Sequence, residues 1–254
     1  MVLATDFARR SPLHHAIREH GPATWQAVGD TAIVESVAGV RPPLGIVDLS
    51  PLPRLGFKGR ETLATMQGLG VALEATPNRA YPQADGGLCL VLGPGEVFLL
   101  GALQGENALI GRLETGAGIA DDVRCYAMPR RDSHAWFGMV GVAASALLAK
   151  ICAVDLRLER FPNLSIAQTS VAKLNAIVLR ADIGGEPVFH LLSDSSAARS
   201  MLDSLLDAAG EFGGGLAGRQ FLPQAATLGE DETNGNGRES QGESKETRQG
   251  QGEN

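Results

Sequence analysis

The chain has 254 residues, a length that fits one large domain or two small ones. Apolar residues make up 44% and aromatics only 5%, so a core is available but must be built from Leu, Val, Ala and Ile. The net charge of −7 speaks against a nucleic-acid binder, no apolar run approaches the ~20 residues of a membrane helix, and the N-terminus lacks a secretory apolar stretch. The expectation is a soluble, cytoplasmic protein with neither nucleic-acid nor membrane partners.

Residues 1–21 read as an extended N-terminal arm, because Pro12 and the Gly21-Pro22 pair break any helix. Strand-like and helix-like stretches then alternate irregularly. Strands are expected at Ala32–Ser36, Leu55–Lys58, Leu88–Leu92, Val97–Leu100, Ala135–Val140, Ala176–Arg180 and Val188–Leu192. Helices are expected at Arg60–Leu69, Asn107–Glu114, Val142–Cys152 and Ser195–Ala209. In the last, Ala198, Met201, Leu202, Leu205, Leu206 and Ala209 make one apolar stripe; Asp194 or Ser193 can cap its start, and Gly210 can supply a left-handed stop. Gly93-Pro94-Gly95-Glu96 joins two strands as a hairpin loop of four residues. Twice a strand meets a glycine and then a helix, at Gly59 and at Gly141, which suggests two related βα halves. The fold class is α+β, with mixed or antiparallel sheets and flanking helices over 22–215, divided into halves 22–115 and 116–215.

Composition breaks after Leu228. Residues 229–254 hold seven acids, three bases and no aliphatic, aromatic or cysteine residue. A segment that buries nothing cannot offset its ordering entropy, so 216–254 is expected to be a disordered acidic tail.

Few residues suggest chemistry. There is no G-x-S-x-G elbow, no P-loop and no G-x-G-x-x-G after a strand. Gly213-Gly214-Gly215 leaves a helix instead of opening one. His14 and His15 are neighbours on the arm with His20 nearby; on an extended segment they point apart and hold no metal easily. His134 and His190 lie in strand patterns and read as hydrogen-bonded structural residues. Asp121-Asp122, the one close carboxylate pair, sits in a glycine-rich polar stretch that reads as a solvated turn. Cys89, Cys125 and Cys152 are odd in number and widely spaced, which indicates neither a disulfide framework nor a zinc knuckle, and Cys152 reads as a buried small hydrophobe. No catalytic or metal-binding residue is assigned.

Several segments together resemble the gamma subunit of heterotetrameric sarcosine oxidase. They are Ser11-Pro12-Leu13; Pro77-Asn78-Arg79; Leu92-Gly93-Pro94-Gly95-Glu96 running to Leu100; Gly141 with Leu147-Leu148-Ala149-Lys150; Asp155-Leu156; Phe161-Pro162; Ala167-Gln168-Thr169; and Ala208-Ala209-Gly210-Glu211-Phe212-Gly213. More distantly, Gly45-Ile46-Val47-Asp48-Leu49-Ser50 and Gly184-Gly185-Glu186-Pro187-Val188-Phe189 are similar to segments of the folate-binding glycine-cleavage T-protein, an aminomethyltransferase. The sequence departs from the gamma pattern at Asp194-Ser195, where Arg-Ser is usual, at Val97 in place of Trp, and at Gly95 in place of Asp. It departs from the T-protein in the stretch Gly86-Gly87-Leu88-Cys89-Leu90-Val91, which has no carboxylate where the T-protein carries its reactive aspartate.

The resemblance implies an aminomethyltransferase-like fold and a non-catalytic gamma subunit. In that family a flavoprotein complex demethylates sarcosine, or a related N-methyl amino acid, with tetrahydrofolate as one-carbon acceptor. It implies larger alpha and beta subunits and a small delta subunit as partners. FAD, FMN, NAD and tetrahydrofolate are then held by the partners and no cofactor by this chain. Glu186 alone matches a residue placed near folate in the T-protein, a remnant of a folate site. The alternative is a stand-alone folate-binding aminomethyltransferase-like protein.

Overall fold

The structure, a computed structural model, describes residues 2–39, 42–104, 107–116 and 118–223. These fall in one compact unit, Met1–Gln224. Most of the expected acidic tail, 224–254, lies outside the described residues.

The chain opens with a 3₁₀ turn at Ala4–Asp6 and a helix, α1 (His14–Glu19), then a two-stranded ribbon, β1 (Ala23–Val28) and β2 (Thr31–Val37). The arm is therefore not extended throughout: Leu13, Ala16 and Ile17 give α1 an apolar face that is buried in the core. Strand β3 (Gly45–Asp48) follows. Next come β4 (Arg54–Lys58), α2 (Thr62–Gly68), β5 (Arg79–Pro82), β6 (Leu88–Gly93), β7 (Glu96–Leu100), α3 (Ala108–Glu114) and β8 (Tyr126–Pro129). The remainder is β9 (His134–Val140), α4 (Ala144–Ile151), β10 (Ile166–Val171), β11 (Leu174–Arg180), β12 (Val188–Asp194), α5 (Ala198–Gly210) and β13 (Gly215–Ala217), then a 3₁₀ turn at Arg219–Phe221.

Two sheets stack face to face. One runs β5-β6-β7-β4-β8, the other β10-β11-β12-β9-β3-β13, and all pairings are antiparallel except β13 with β3. Alternation within each strand sends one set of side chains between the sheets and the other beneath helices. Leu90, Leu92, Phe98 and Leu100 meet Trp136, Leu179, Val188 and Leu192 in the middle layer. Val91, Val97 and Leu99 pack under α2 and α3, while Phe137, Met139, Phe189 and Leu191 pack under α4 and α5. The result is a four-layer α+β arrangement, helices outside and two sheets within.

At one edge the sheets join. The Ala80 amide donates to the Leu164 carbonyl at 2.9 Å and the Ile166 amide to the Asn78 carbonyl at 3.0 Å. Asn78 and Leu164 both take left-handed backbone, with φ of 60° and 65°.

The glycine corners are structural necessities. Gly59 and Gly141 have φ of 148° and 130°, and a Cβ at either would run into a carbonyl, that of Arg124 or of Pro43. Gly210, by contrast, is still helical; the left-handed exit is Gly213, with φ of 64°. Asp194 caps the short 3₁₀ turn Ser195–Ala197 that leads into the last helix, accepting from the Ser196 amide at 2.8 Å; the helix itself, with Ala197 at its N-cap, has no side-chain cap. The hairpin loop is also tighter than expected, because Gly93 and Glu96 pair and only Pro94 and Gly95 turn.

The tail boundary moves too. Residues 216–223 belong to the domain: β13 pairs in the sheet and Leu222 is buried in the middle layer. The charge-rich sequence downstream masked this short apolar stretch.

Candidate functional site

Four of the buried polar residues, Ser11, Asp48, Ser50 and Arg54, come together where the N-terminal segment meets the sheets. Asp48, at the end of β3, is buried; it accepts from the Ser11 hydroxyl and, at 3.0 Å, from the Ser50 amide. Burial pushes its carboxyl above the ordinary carboxylate range, and the hydrogen bonds from Ser11 and Ser50 oppose that shift. Arg54, 1% exposed, donates to the carbonyls of Ser50 (2.9 Å), Leu52 (3.2 Å), Arg130 (3.4 Å), His134 (2.9 Å) and Arg131. Burial lowers its guanidinium to about 10, with Asp48 pulling the other way. Such a guanidinium, fully engaged by backbone acceptors, fastens loops and has no donor left for a ligand.

The segments that carry the family resemblance meet one another in pairs. Ser11 reaches Asp48. Gln168 donates to the Asn78 side chain at 2.9 Å and to the Leu92 carbonyl at 2.7 Å, while Arg79 donates to Ser165 and to the Asn163 carbonyl, both at 3.3 Å. Lys150 pairs with Glu211 at 2.6 Å and lies 6.0 Å from the Phe212 ring. These contacts hold elements together.

The histidines are desolvated. His190, in the middle layer, accepts the Trp136 indole N–H on Nδ1 at 3.1 Å, and burial depresses it to about 4. His134 is held to about 4 by burial and by Arg130 and Arg54, with its Nδ1 2.7 Å from the Ser133 hydroxyl. Neither is set to exchange protons near pH 7. His14 and His15 lie on helix α1, not on an extended segment, with ring centroids 5.0 Å apart. His14 is buried against Trp25 and shifted downward, by burial first and by His15, Arg10 and Arg18 next. Asp121 and Asp122 are exposed on a turn. The three cysteines are free and buried, Cys89 and Cys125 under α2 and α3 and Cys152 beneath α4 and α5; burial drives the Cys89 thiol up to about 12. Among the described residues no group of three His, Cys, Asp or Glu could hold a metal, and no helix is long and apolar enough to cross a membrane. Leu90 and Val91, at the slot of the T-protein's reactive aspartate, are wholly buried in β6.

Glu186 is the sequence-selected residue that faces open space. It lines a cleft of about 710 Å³ beside the Gly141 corner, with Pro42, Pro43, Val142, Leu158, Phe189 and Phe221 among its walls. Sequence reasoning missed these wall residues because they come from five separate segments, and Phe221 was assigned to the tail. The apolar Phe221-Leu222 pair was the available signal.

No protein-family model and no curated protein sequence matches the chain. Solved structures do. A chain of the heterotetrameric sarcosine oxidase from Corynebacterium sp. U-96, in complex with pyrrole 2-carboxylate, superposes with a TM-score of 0.61 at 24% identity, over 81% of this chain and 96% of that one. The glycine cleavage system aminomethyltransferase T from Bartonella henselae superposes with a TM-score of 0.63 at 15% identity, over 84% of this chain and 60% of that one. The fold is aminomethyltransferase-like. The aminomethyltransferase-like domain here spans nearly the whole of the oxidase chain but only about three-fifths of the T-protein.

Proposed function

We propose that this chain is a non-catalytic, gamma-type subunit of a sarcosine-oxidase-type flavoprotein complex in the cytoplasm. The complex would oxidatively demethylate sarcosine or a related N-methyl amino acid, with tetrahydrofolate receiving the one-carbon unit. The observation that carries this reading is end-to-end similarity to a chain of a heterotetrameric sarcosine oxidase, 96% of which is covered. Two features support it. The residues shared with gamma subunits are spent on internal contacts, and the T-protein's reactive-aspartate slot is filled by buried Leu90 and Val91. Flavin, NAD and folate chemistry then belongs to larger alpha and beta partners, accompanied by a small delta chain. We also read the two sheets as copies of one βαβββαβ unit, supported by the matched glycine corners and the reciprocal hydrogen bonds at Asn78 and Leu164.

Purification of the tagged chain from its native cell, with mass spectrometry and a visible absorbance scan, tests the proposal. A yellow complex with larger chains is expected; a colourless, lone, soluble protein overturns it.

The second reading, a stand-alone folate-binding protein, is favoured by Glu186 lining the cleft beside Gly141. Glu186 would meet the heteroaromatic ring there, but the described walls offer no cation for folate's carboxylate tail. Titration of the isolated chain with tetrahydrofolate separates the readings: micromolar binding by the lone chain would favour the second.

A further inference from the structure

The cleft beside Gly141 has a chemistry of its own. Its volume, about 710 Å³, lies within the range of small-molecule pockets. Pro42, Pro43, Pro187 and Pro223 stiffen its walls, so little order would be lost on binding. Its aromatic wall is Phe221; Phe189, buried and stacked on Phe161, forms the floor. Among the described residues that line it, Glu186 is the only charged one.

Glu186 closes a tight turn. Ile183 and Glu186 exchange backbone hydrogen bonds of 2.9 and 3.0 Å around Gly184 and Gly185, whose φ values of 58° and 84° are those of a tight type I′ turn. The carboxylate itself has no ion-pair or hydrogen-bond partner among the described residues. The Glu186 carboxylate is exposed beside these apolar walls. It attracts a cation and repels an anion.

We infer that this cleft binds a small organic monocation with an aromatic or aliphatic body, an amine or amidine. The cationic head pairs with Glu186 and the apolar body lies against Phe221, Pro42, Pro43 and Leu158. An amidinium can meet both carboxylate oxygens at once. Neither the established folds nor the subunit reading requires such a site, and its failure would leave that reading standing.

Calorimetric titration of the full chain with 2-naphthamidine, its neutral analogue 2-naphthamide and the anion 2-naphthoate tests the inference. The amidine should bind in the sub-millimolar range and about threefold to fivefold more tightly than either analogue, the size of an exposed ion pair. Glu186→Gln should remove that advantage. Val142→Lys, at a fully exposed rim position, should weaken it severalfold by charge repulsion without disturbing the fold. Unchanged thermal melting of both variants would show that the losses are local. Equal binding of amidine and amide, no binding of the amidine, or an affinity untouched by Glu186→Gln would each overturn the inference.

Discussion

Residues 54–129 and 134–217 lay down the same succession of strand, helix, three strands, helix and strand, yet they bury different chemistry at matching register. Gly56 pairs with Phe98 in the first; Gly138 pairs with His190 in the second. Three residues after each of these glycines comes a corner glycine, Gly59 or Gly141. Two residues before each stands a large buried group, Arg54 or Trp136, and these face one another with the guanidinium carbon 6.0 Å from the indole ring. The backbone requirements are common to both stretches and the interior side chains are not. Geometry at a βα corner leaves almost no choice of residue, whereas an interior position accepts any group whose polar atoms find partners. Arg54 finds five carbonyls; Trp136 finds His190.

The comparison can be broken most forcefully at Arg54. Arg54→Met leaves buried carbonyls without their donor, and urea unfolding at pH 7 should show a loss of about 3–5 kcal/mol. If the two corners are equivalent, Gly59→Ala and Gly141→Ala should cost similar amounts. Each forces a side chain into left-handed backbone and against a carbonyl, a penalty of about 2–3 kcal/mol by the same assay.

Acid sharpens the contrast in the middle layer. His190 is held at about 4 in the folded chain against an ordinary 6.5, so its folded state prefers the neutral ring. Stability from this preference is complete above pH 6.5 and is lost as pH falls towards 4. Between pH 7 and 5 the loss from His190 alone is about 2 kcal/mol. His190→Phe, which copies the first stretch's Phe98, should flatten that part of the pH profile. A slope unchanged in His190→Phe would assign the acid sensitivity elsewhere, with His134 next in line.

The smallest effect lies in the β10–β11 turn, where Ala172 and Lys173 carry positive φ of 47° and 67°. Type I′ turns favour Asn-Gly, and Ala172→Asn with Lys173→Gly should raise stability by about 1 kcal/mol, seen as a higher melting temperature.

The strong apolar strands and the four long helical patterns were readable from sequence because burial on one or both faces writes itself into residue choice. Strands β1, β3, β5, β8, β10 and β13 were not; β3 is an interior strand of only four residues entered from Pro42-Pro43, and the other five share a common reason. Each of the five sits at a sheet edge or in the outlying ribbon, where polar residues such as Gln26, Arg79 and Gln168 face solvent or hydrogen-bond across. Helix α1 was hidden by Pro12 and by its brevity, although Leu13 and Ile17 gave it a buried face. Glu186 was legible through one turn motif, Gly184-Gly185-Glu186. Its cleft was not, since Pro43, Leu158 and Phe221 approach only through the sheet topology. Arg54 carried no sequence signal at all, because its partners are main-chain carbonyls, which every sequence possesses.

The buried thiols have a consequence for watching this molecule move. A thiol reagent reacts with thiolate at the surface, and Cys89, Cys125 and Cys152 present neither surface nor, for Cys89, an accessible thiolate. Labelling must wait for opening. Two of these sulfurs sit in the α2–α3 layer and one in the α4–α5 layer, so the order in which they are modified is a stopwatch for which side of the sandwich breathes first.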